Sequence, residues 1–324
     1  MKNTRRENIF VPLTGGLGNQ LFQYSFALSL SEKTGLSLFL DDKVAKPRMV
    51  SGQATICQLE ICGRQIHTLI ERPRFRTILT KMYSWNLING AQHRLRNLKK
   101  LSKISNLASR FVIFLSKRIW IKLYISCGLG FDSNIANINT GGFFIGYFQT
   151  YRFAQNSSVF AQLMTLQPRK KSQACLQILE RIAKEKPILV HVRLTDYVFE
   201  NSFGIPSEKY YLDALNYLRS AGMDNPIWIF SDDIPAARRH LSNLNEIYDL
   251  HFVEMNGISD VENWYLMRFF AGYVIANSSY SWWSAFLRQT QNSPVIYPLP
   301  WFIDGETPRD LFPVDWLPIP TQGK

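Results

Sequence analysis

The sequence contains no run of 18 uncharged apolar residues, so no helix is predicted to span a lipid bilayer. Its first residues lack the hydrophobic region of a signal peptide. The four cysteines form no Cys-x-x-Cys pair, and we interpret them as reduced thiols rather than as disulfides or zinc ligands. These absences favour a cytoplasmic protein, either free or peripheral at the inner face of the membrane.

Acidic residues are missing from one long segment. Between Arg72 and Phe131 there are seven Arg and six Lys but no Asp or Glu, a charge of +13, whereas the whole chain carries +12. Helical spacing within this segment predicts a basic helical region over 91–127. Two interpretations stay open: a solvated helix face, or a surface for an anionic membrane or a lipid-linked acceptor. Because the charge is confined to one segment, we expect no nucleic-acid partner.

The pattern Asp-x-Asp is also absent, and no cluster of Cys and His suggests zinc. A metal ion held by carboxylates against a diphosphate is therefore not predicted. We expect cationic side chains to take its place, with no cofactor.

Strand and helix signals alternate along both halves of the chain, which predicts parallel sheets. The expected fold class is α/β, with two facing Rossmann-like doubly wound domains and a cleft between them. The predicted domains are 1–160 and 161–324. The tail from Pro298, which is rich in Pro and Trp, is expected to pack over the surface.

A glycine-rich turn follows the first predicted strand. Gly16 and Gly18 let backbone N–H groups approach a ligand beside a helix start, and Asn19 and Gln20 add amide donors. The turn resembles half of a dinucleotide fingerprint, but Leu21 stands where the third glycine belongs. An NAD-dependent oxidoreductase is therefore an alternative function, with Asp42 as its ribose-binding acid.

A second candidate site lies at the end of the predicted strand 187–193. Arg193 can bind a phosphate through paired charge-assisted hydrogen bonds, and His191 lies on the same side of the strand. Asp196 can orient Arg193, bind a sugar hydroxyl or act as a base. The alternative is a structural ion pair of Arg193 with Asp196 and a core histidine.

Two further strands end in polar residues. Asp232 or Asp233 can accept hydrogen bonds from a ribose or a guanine edge, or can cap the next helix. The second of these strands, 273–276, is followed by a run of hydroxyl groups at the start of a predicted helix. Such a helix start can bind an anion. Together these clusters predict a nucleotide-diphosphate site whose remaining polar members are Ser231, Asn277, Ser278, Ser279 and Ser281.

Several motifs occur in an order that resembles a known family. They are Gly-Gly-Leu-Gly-Asn-Gln-Leu-Phe-Gln-Tyr at 15–24, Gly-Tyr-Phe-Gln at 146–149, His-Val-Arg-x-x-Asp-Tyr at 191–197, Phe-Ser-Asp-Asp at 230–233 and Asn-Ser-Ser-Tyr-Ser-Trp-Trp at 277–283. Over about 8–302 the chain resembles the bacterial α-1,2-fucosyltransferases of glycosyltransferase family 11.

This resemblance implies a GT-B fold and metal-independent, inverting transfer of fucose from GDP-β-L-fucose. The implied acceptor is the 2-hydroxyl of a terminal galactose on an oligosaccharide, in O-antigen or another surface glycan, which can be lipid-linked. The resemblance places the donor in the C-terminal domain and the acceptor mainly against the N-terminal one. By position, Arg193 would hold the β-phosphate, Ser278 and Ser279 the diphosphate, Asp232 the nucleoside, and Asn19 would reach the donor.

One motif departs from the family pattern. The family has Arg-Arg-Gly-Asp where this chain has Arg193-Leu194-Thr195-Asp196. By strand alternation Leu194 points away from Arg193, and Thr195 narrows the backbone freedom of the turn. The general base stays open among Asp196, His191 and Glu200, and transfer with a weak base or with none is the further alternative. A basic protein that binds nucleic acid or an anionic surface is the non-enzyme alternative.

Overall fold

The computed structural model describes residues 8–42, 55–61, 122–126, 130–194, 204–303 and 307–321, which form two compact units. Unit 1 contains the described residues up to Leu166 together with Pro308–Phe312, and unit 2 contains the others. The predicted boundary at 160 would cut the helix Ser157–Met164. In the structure unit 1 extends to Leu166, so it contains this whole helix, whose Val159 and Leu163 are buried.

Unit 1 is built on a four-stranded parallel sheet with the order β2-β1-β5-β4. Two 3₁₀ turns, Thr55–Gln58 and Tyr151–Phe153, accompany it. In chain order the described elements are β1 (Asn8–Pro12), α1 (Leu17–Thr34), β2 (Ser37–Asp41), β3 (Leu59–Glu60), β4 (Leu123–Ile125), α2 (Ser133–Ala136), β5 (Gly142–Ile145) and α3 (Ser157–Met164).

Unit 2 is built on a six-stranded parallel sheet with the order β12-β11-β10-β7-β8-β9. Its elements are β6 (Gln167–Pro168), α4 (Gln173–Glu185), β7 (Ile188–Val192), α5 (Glu208–Ser220), β8 (Ile227–Ser231), α6 (Ile234–His240), α7 (Leu244–Ile247), β9 (Leu250–Phe252), α8 (Asp260–Leu266), β10 (Gly272–Val274), α9 (Ser279–Phe286), β11 (Val295–Leu299) and β12 (Leu317–Pro320). The predicted α/β class with Rossmann-like parallel sheets is confirmed. The facing arrangement and its cleft stay predictions.

The helical pattern after the glycine-rich turn predicts a helix from Leu21 to Lys33, and helix α1 begins four residues earlier. Gly16 takes an extended conformation at its N-cap, with φ −77° and ψ −179°, so the helix starts at Leu17. Gly35 ends it in the left-handed region, with φ 70°. Asn19 and Gln20 therefore lie in the first helical turn rather than in the loop.

The helical prediction for 91–127 lies outside the described residues, except for 122–126. There the prediction is wrong, because Leu123–Ile125 is strand β4 and pairs in parallel with β5. Apolar residues at this spacing suit either element, and pairing with a neighbouring strand decides between them. The predicted membrane contact of 91–127 stays a prediction.

The C-terminal tail was predicted to pack over the surface, but part of it belongs to the sheet of unit 2. Leu317–Pro320 is strand β12, which pairs in parallel with β11 at the edge of the unit 2 sheet. Its two prolines at 318 and 320 are tolerated because an edge strand needs hydrogen bonds on one side only. Before it, Pro308–Phe312 belongs to unit 1.

In each sheet the strand order reverses at one point, which we call the switch point. Ligands are expected to bind at the carboxyl ends of the strands on either side of it. In unit 2 the chain proceeds from β7 to β8 and β9 on one side, then continues from β10 on the other. In unit 1 the corresponding point lies between β1 and β5. Ligands of open α/β sheets bind outside the carboxyl ends of the strands at such points.

A buried glutamine joins the two loops at the switch point of unit 1. Thr14 N donates to Gln23 Oε1 over 2.9 Å, and Gln23 Nε2 donates to Thr14 Oγ1 at 2.7 Å and to Gly146 O at 3.1 Å. One fully buried side chain from α1 thus fixes the loop after β1 against the loop after β5.

We expect Gly146→Ala to destabilise the protein by about 1–3 kcal/mol, the usual cost of overpacking a core. A Cβ at this position would lie 2.9 Å from Ser126 Cβ and 3.1 Å from two ring atoms of the buried Phe148. Urea titration measures the change. Gly16→Ser is the control, because a Cβ there meets nothing within 4 Å and serine is a good N-cap. Equal stabilities of the two variants would contradict the packing argument.

Candidate functional site at the carboxyl ends of the strands

An aspartate after β8 holds the arginine that follows β7. The two strands pair with Val192 opposite Ser231, so the next residues, Arg193 and Asp232, are neighbours. Arg193 Nε lies 3.2 Å from Asp232 Oδ2, and Leu194 N donates to Asp232 Oδ1 over 2.9 Å. The carboxylate therefore fixes both the guanidinium and the backbone after β7. With side chains 24% and 15% exposed, the pair is only partly screened by water.

The predicted ion pair of Arg193 with Asp196 lies outside the described residues, as does Glu200. The partner that the structure describes comes from the neighbouring strand instead. The sequence already singled out Asp232, but for a nucleoside. Its observed contacts give it a second task, which is to orient Arg193.

The adjacent aspartate caps a helix. Asp233 Oδ1 accepts from Ala236 N at 2.8 Å at the start of α6, as the capping interpretation expects. Ser231 Oγ accepts from Asp233 N at 3.1 Å and shapes the turn between β8 and this helix. The two neighbouring carboxylates, Asp232 and Asp233, thus have different roles.

His191 is buried and electrically neutral. Its side chain is buried, and among the described residues its Nδ1 has no hydrogen-bond partner. Burial, assisted by the positive charge of Arg193, lowers the pKa of His191 to about 3. The imidazole therefore adds no positive charge at neutral pH, and of the two predicted phosphate contacts only Arg193 is a cation.

Among the serines at the start of α9, two make hydrogen bonds within the chain and one has an available hydroxyl. Ser278 is the N-cap and accepts from Tyr280 N at 3.3 Å, while the buried Ser281 donates back to Ser278 O over 3.2 Å. The half-buried Ser279 is different, because in the part of the chain that the structure describes its hydroxyl has no partner. Ser279 is therefore the hydroxyl best placed to meet an anion beside the N–H groups of this helix.

Asn277 supports the backbone around this helix start. Its Nδ2 donates to Gly204 O at 3.0 Å and to Trp301 O at 3.3 Å, and the side chain is buried. It was predicted to bind the donor, but its observed contacts anchor two chain segments beside β10.

Tyr280 is a site residue that the sequence reasoning missed. Its ring centroid lies 6.2 Å from that of His191, and its hydroxyl donates to Asp260 O. Burial raises the pKa of Tyr280 well above its usual range, so the hydroxyl stays protonated. Only its place in a run of serines that follows a strand signalled it in the sequence.

The glycine-rich turn of unit 1 is held by amides. The fully buried Gln20 donates from Nε2 to Gly15 O at 2.8 Å and accepts from Ile56 N at 2.9 Å, so its amide is used within the chain. Asn19 is only half-buried and accepts from Gln149 Nε2 over 2.9 Å. Of the two predicted amide donors, Asn19 is thus the accessible one.

The glycines of this turn have different surroundings. A Cβ at Gly16 would meet nothing within 4 Å, which leaves room for a ligand above the helix start, whereas Gly18 is buried in the first turn. Leu21, at the position of the third fingerprint glycine, is fully buried in the core. This packing does not favour a dinucleotide at the turn.

Within the described ranges, no group of three or more His, Cys, Asp or Glu side chains is arranged to hold a metal ion. The described helices include none long and apolar enough to cross a membrane.

Comparison with known proteins gives two similar curated relatives, both from Escherichia coli. The chain is 28% identical to an alpha-1,2-colitosyltransferase, with 95% of this chain and 97% of the relative covered. It is 25% identical to the O-antigen biosynthesis glycosyltransferase WbnK, with 94% and 98% covered.

Solved structures of fucosyltransferases are more distant. The fucosyltransferase NodZ from Bradyrhizobium matches with a TM-score of 0.46 at 10% identity, covering 88% of this chain and 94% of that one. POFUT1 in complex with GDP-fucose matches with a TM-score of 0.45 at 14% identity, covering 92% and 99%.

The model of the family described as glycosyl transferase family 11 matches residues 8–304, which include both switch points and every candidate site residue. The chain therefore belongs to glycosyl transferase family 11.

Proposed function

We propose that this chain transfers L-fucose from GDP-β-L-fucose to the 2-hydroxyl of a terminal galactose, with inversion to an α-1,2 linkage, in O-antigen or other surface glycan synthesis. The observation that carries the proposal is the Arg193–Asp232 pair at the switch point of unit 2, one strand away from the start of α9. Family membership supports glycosyl transfer, and the names of the two relatives support the linkage and the type of glycan.

The proposed chemistry is a single displacement assisted by fixed positive groups. As the acceptor hydroxyl attacks the anomeric carbon, negative charge grows on the β-phosphate of the leaving GDP. Arg193, held in place by Asp232, and the N–H groups and Ser279 hydroxyl at the start of α9 would stabilise that charge. In this scheme cationic and dipolar groups of the chain act where other enzymes place a metal ion.

His191 is not assigned proton abstraction. A pKa of about 3 makes its imidazole a weak base at neutral pH, since base strength falls with pKa. We propose instead that it acts as a neutral hydrogen-bonding group beside Arg193.

A second donor is supported by one comparison. A relative that covers nearly the whole chain is an alpha-1,2-colitosyltransferase, and colitose is a fucose-like sugar. GDP-colitose is therefore the alternative donor for the same site and the same linkage.

The proposal is tested by measuring GDP release from GDP-fucose and from GDP-colitose, with and without EDTA. Acceptors that end in galactose are compared with acceptors that end in another hexose. We expect turnover that requires a galactose terminus and is unchanged by EDTA. Loss of turnover in EDTA would refute metal independence. Inactivity with both donors, together with a thermal shift by NAD alone, would favour the oxidoreductase.

We expect Arg193→Ala to lower kcat by at least about 10²–10³-fold, the usual cost of removing one donor to a developing charge, while folding normally. Asp232→Asn should lose less, about tenfold or more, because the amide oxygen can still accept from Leu194 while the charge that orients Arg193 is lost. Steady-state kinetics and circular dichroism measure both effects.

The matched control for these variants is Asp233→Asn, which changes the neighbouring carboxylate. Asparagine caps helices as well as aspartate does, so this variant should keep nearly wild-type activity. Equal losses for the two asparagine variants would show that the effect is not specific to the contact with Arg193.

We also predict that His191 makes the protein acid-sensitive. Its pKa is about 3 in the folded state and 6.5 when unperturbed, so below pH 6.5 the unfolded chain binds a proton that the folded chain does not. The free energy of unfolding should therefore fall as the pH drops from 6.5 towards 3, by about 1.4 kcal/mol per pH unit from this group.

Urea titrations between pH 7.5 and 5 measure this slope. His191→Gln should flatten it, whereas His251→Gln, a change at an exposed position on strand β9, should leave most of it. An unchanged slope in His191→Gln would contradict the buried neutral state.

A further inference from the structure

We propose that Tyr147, Gln149 and Asn19 form a subsite in unit 1 for the hydroxyl groups of a neutral hexose. This inference rests on the proposed function and deepens it. The motif Gly146–Gln149 follows β5 at the switch point of unit 1, and none of the roles assigned above involves it as a ligand-binding element.

The placement of the subsite is fixed by packing. Asn19 lies in the first turn of α1, after β1, and Gln149 lies after β5, the strand beside β1. Through Thr14 and Gly146, Gln23 bridges the loop after β1, which leads into α1, and the loop after β5, which leads to Gln149. Both side chains therefore stand at the carboxyl edge of one sheet, where open α/β sheets bind their ligands.

The conformation of Phe148 explains how the motif presents its polar residues. Its φ of 52° lies in the left-handed region, which a bulky residue adopts only when its surroundings enforce it. The buried ring stacks on Phe26 with centroids 3.9 Å apart and an angle of 12° between the planes. The residues on either side, Tyr147 and Gln149, remain half-buried.

The segment after the motif is tied down as well. Gly130 N donates to Gln149 O at 3.2 Å, and Thr150 Oγ1 donates to Asp310 O at 2.7 Å. Tyr151 N donates to the same carbonyl over 3.3 Å. The backbone at Gln149 is thus fixed before any ligand arrives, which lowers the entropic cost of binding.

The amide pair offers the groups that a sugar hydroxyl needs. Because Gln149 Nε2 donates to Asn19 Oδ1, the orientation of both amides is set. Asn19 Nδ2 and Gln149 Oε1 then have no partner among the described residues and are not buried. A hydroxyl both donates and accepts, so it can bond to this donor and this acceptor at once.

The charge of the cluster favours a hexose over a phosphate. None of its three side chains is ionisable near neutral pH, and the nearby Asp310 carboxylate accepts from Phe131 N at 2.8 Å. Tyr147 is half-buried, and its aromatic ring offers an apolar surface of the kind that can cover the C–H face of a sugar. The hexose can belong to the donor or to the acceptor, and the experiment separates these sources.

The test combines side-chain removal with removal of the matching hydroxyl. Gln149→Ala and Asn19→Ala are assayed with galactose-terminated acceptors that each lack one hydroxyl other than the attacking one. We expect wild type to lose about three- to tenfold in kcat/KM with one of these analogues, the size of one neutral hydrogen bond. With the full acceptor, Gln149→Ala should show a similar loss of kcat/KM. Removing the matching hydroxyl from the acceptor should lower kcat/KM of this variant no further.

The two sources give different kinetics. A raised KM for the acceptor with an unchanged KM for GDP-fucose assigns the subsite to the acceptor. A raised KM for GDP-fucose, also in hydrolysis without acceptor, assigns it to the donor hexose. Unchanged constants in both variants, or an equal loss with every analogue and both substrates, would overturn the proposal, because the pair would then be only structural.

Gln162→Ala is the matched control. Gln162 Nε2 donates to Glu32 Oε1 over 2.7 Å, a surface amide contact at the far end of α1, about 20 Å of helix from Asn19. It should leave all kinetic constants unchanged. If wild type transfers neither sugar, binding of a galactose-terminated oligosaccharide is compared by NMR in wild type and Gln149→Ala. Binding that only wild type shows supports the subsite, and equal or absent binding refutes it.

Discussion

Parallel pairing of β7 between β8 and β10 is the constraint on which the proposed donor site depends. It brings the ends of three chain segments, which are far apart in sequence, to one edge of the sheet. Arg193 then meets Asp232 because the registers of β7 and β8 end together. An arginine held through Nε by a carboxylate keeps one orientation, and a fixed orientation is what stabilisation of a developing charge requires.

The two units carry different polar groups at the switch points of their sheets. In unit 2 the switch point carries charge, a buried neutral histidine and a helix start. In unit 1 it carries amides, of which Gln20 and Gln23 support loops from within the core, while Asn19 and Gln149 remain accessible. A charged edge suits a diphosphate and an amide edge suits a sugar, which fits a glycosyltransferase that must bind both.

Several predictions from the sequence were correct because they depended on local patterns. Alternating strand and helix signals gave the α/β class, and the apolar runs that end in polar residues at 193 and 232 are strands β7 and β8. Two wrong predictions in the described regions, a helix at 123–125 and a surface tail at 317–320, concern short segments. Both are strands because a neighbouring strand offers backbone hydrogen bonds, which composition does not reveal.

By itself the sequence determined the fold class, the family motifs and the candidate residues, since these follow from residue type and spacing along the chain. Only the tertiary structure decided what each candidate contacts and how far it is buried. It gave Asp232 rather than Asp233 to Arg193, made His191 neutral, and committed Gln20 to the core. The physical reason is that partner and burial set the charge and direction of a polar group, and both come from strands and helices that are distant in sequence.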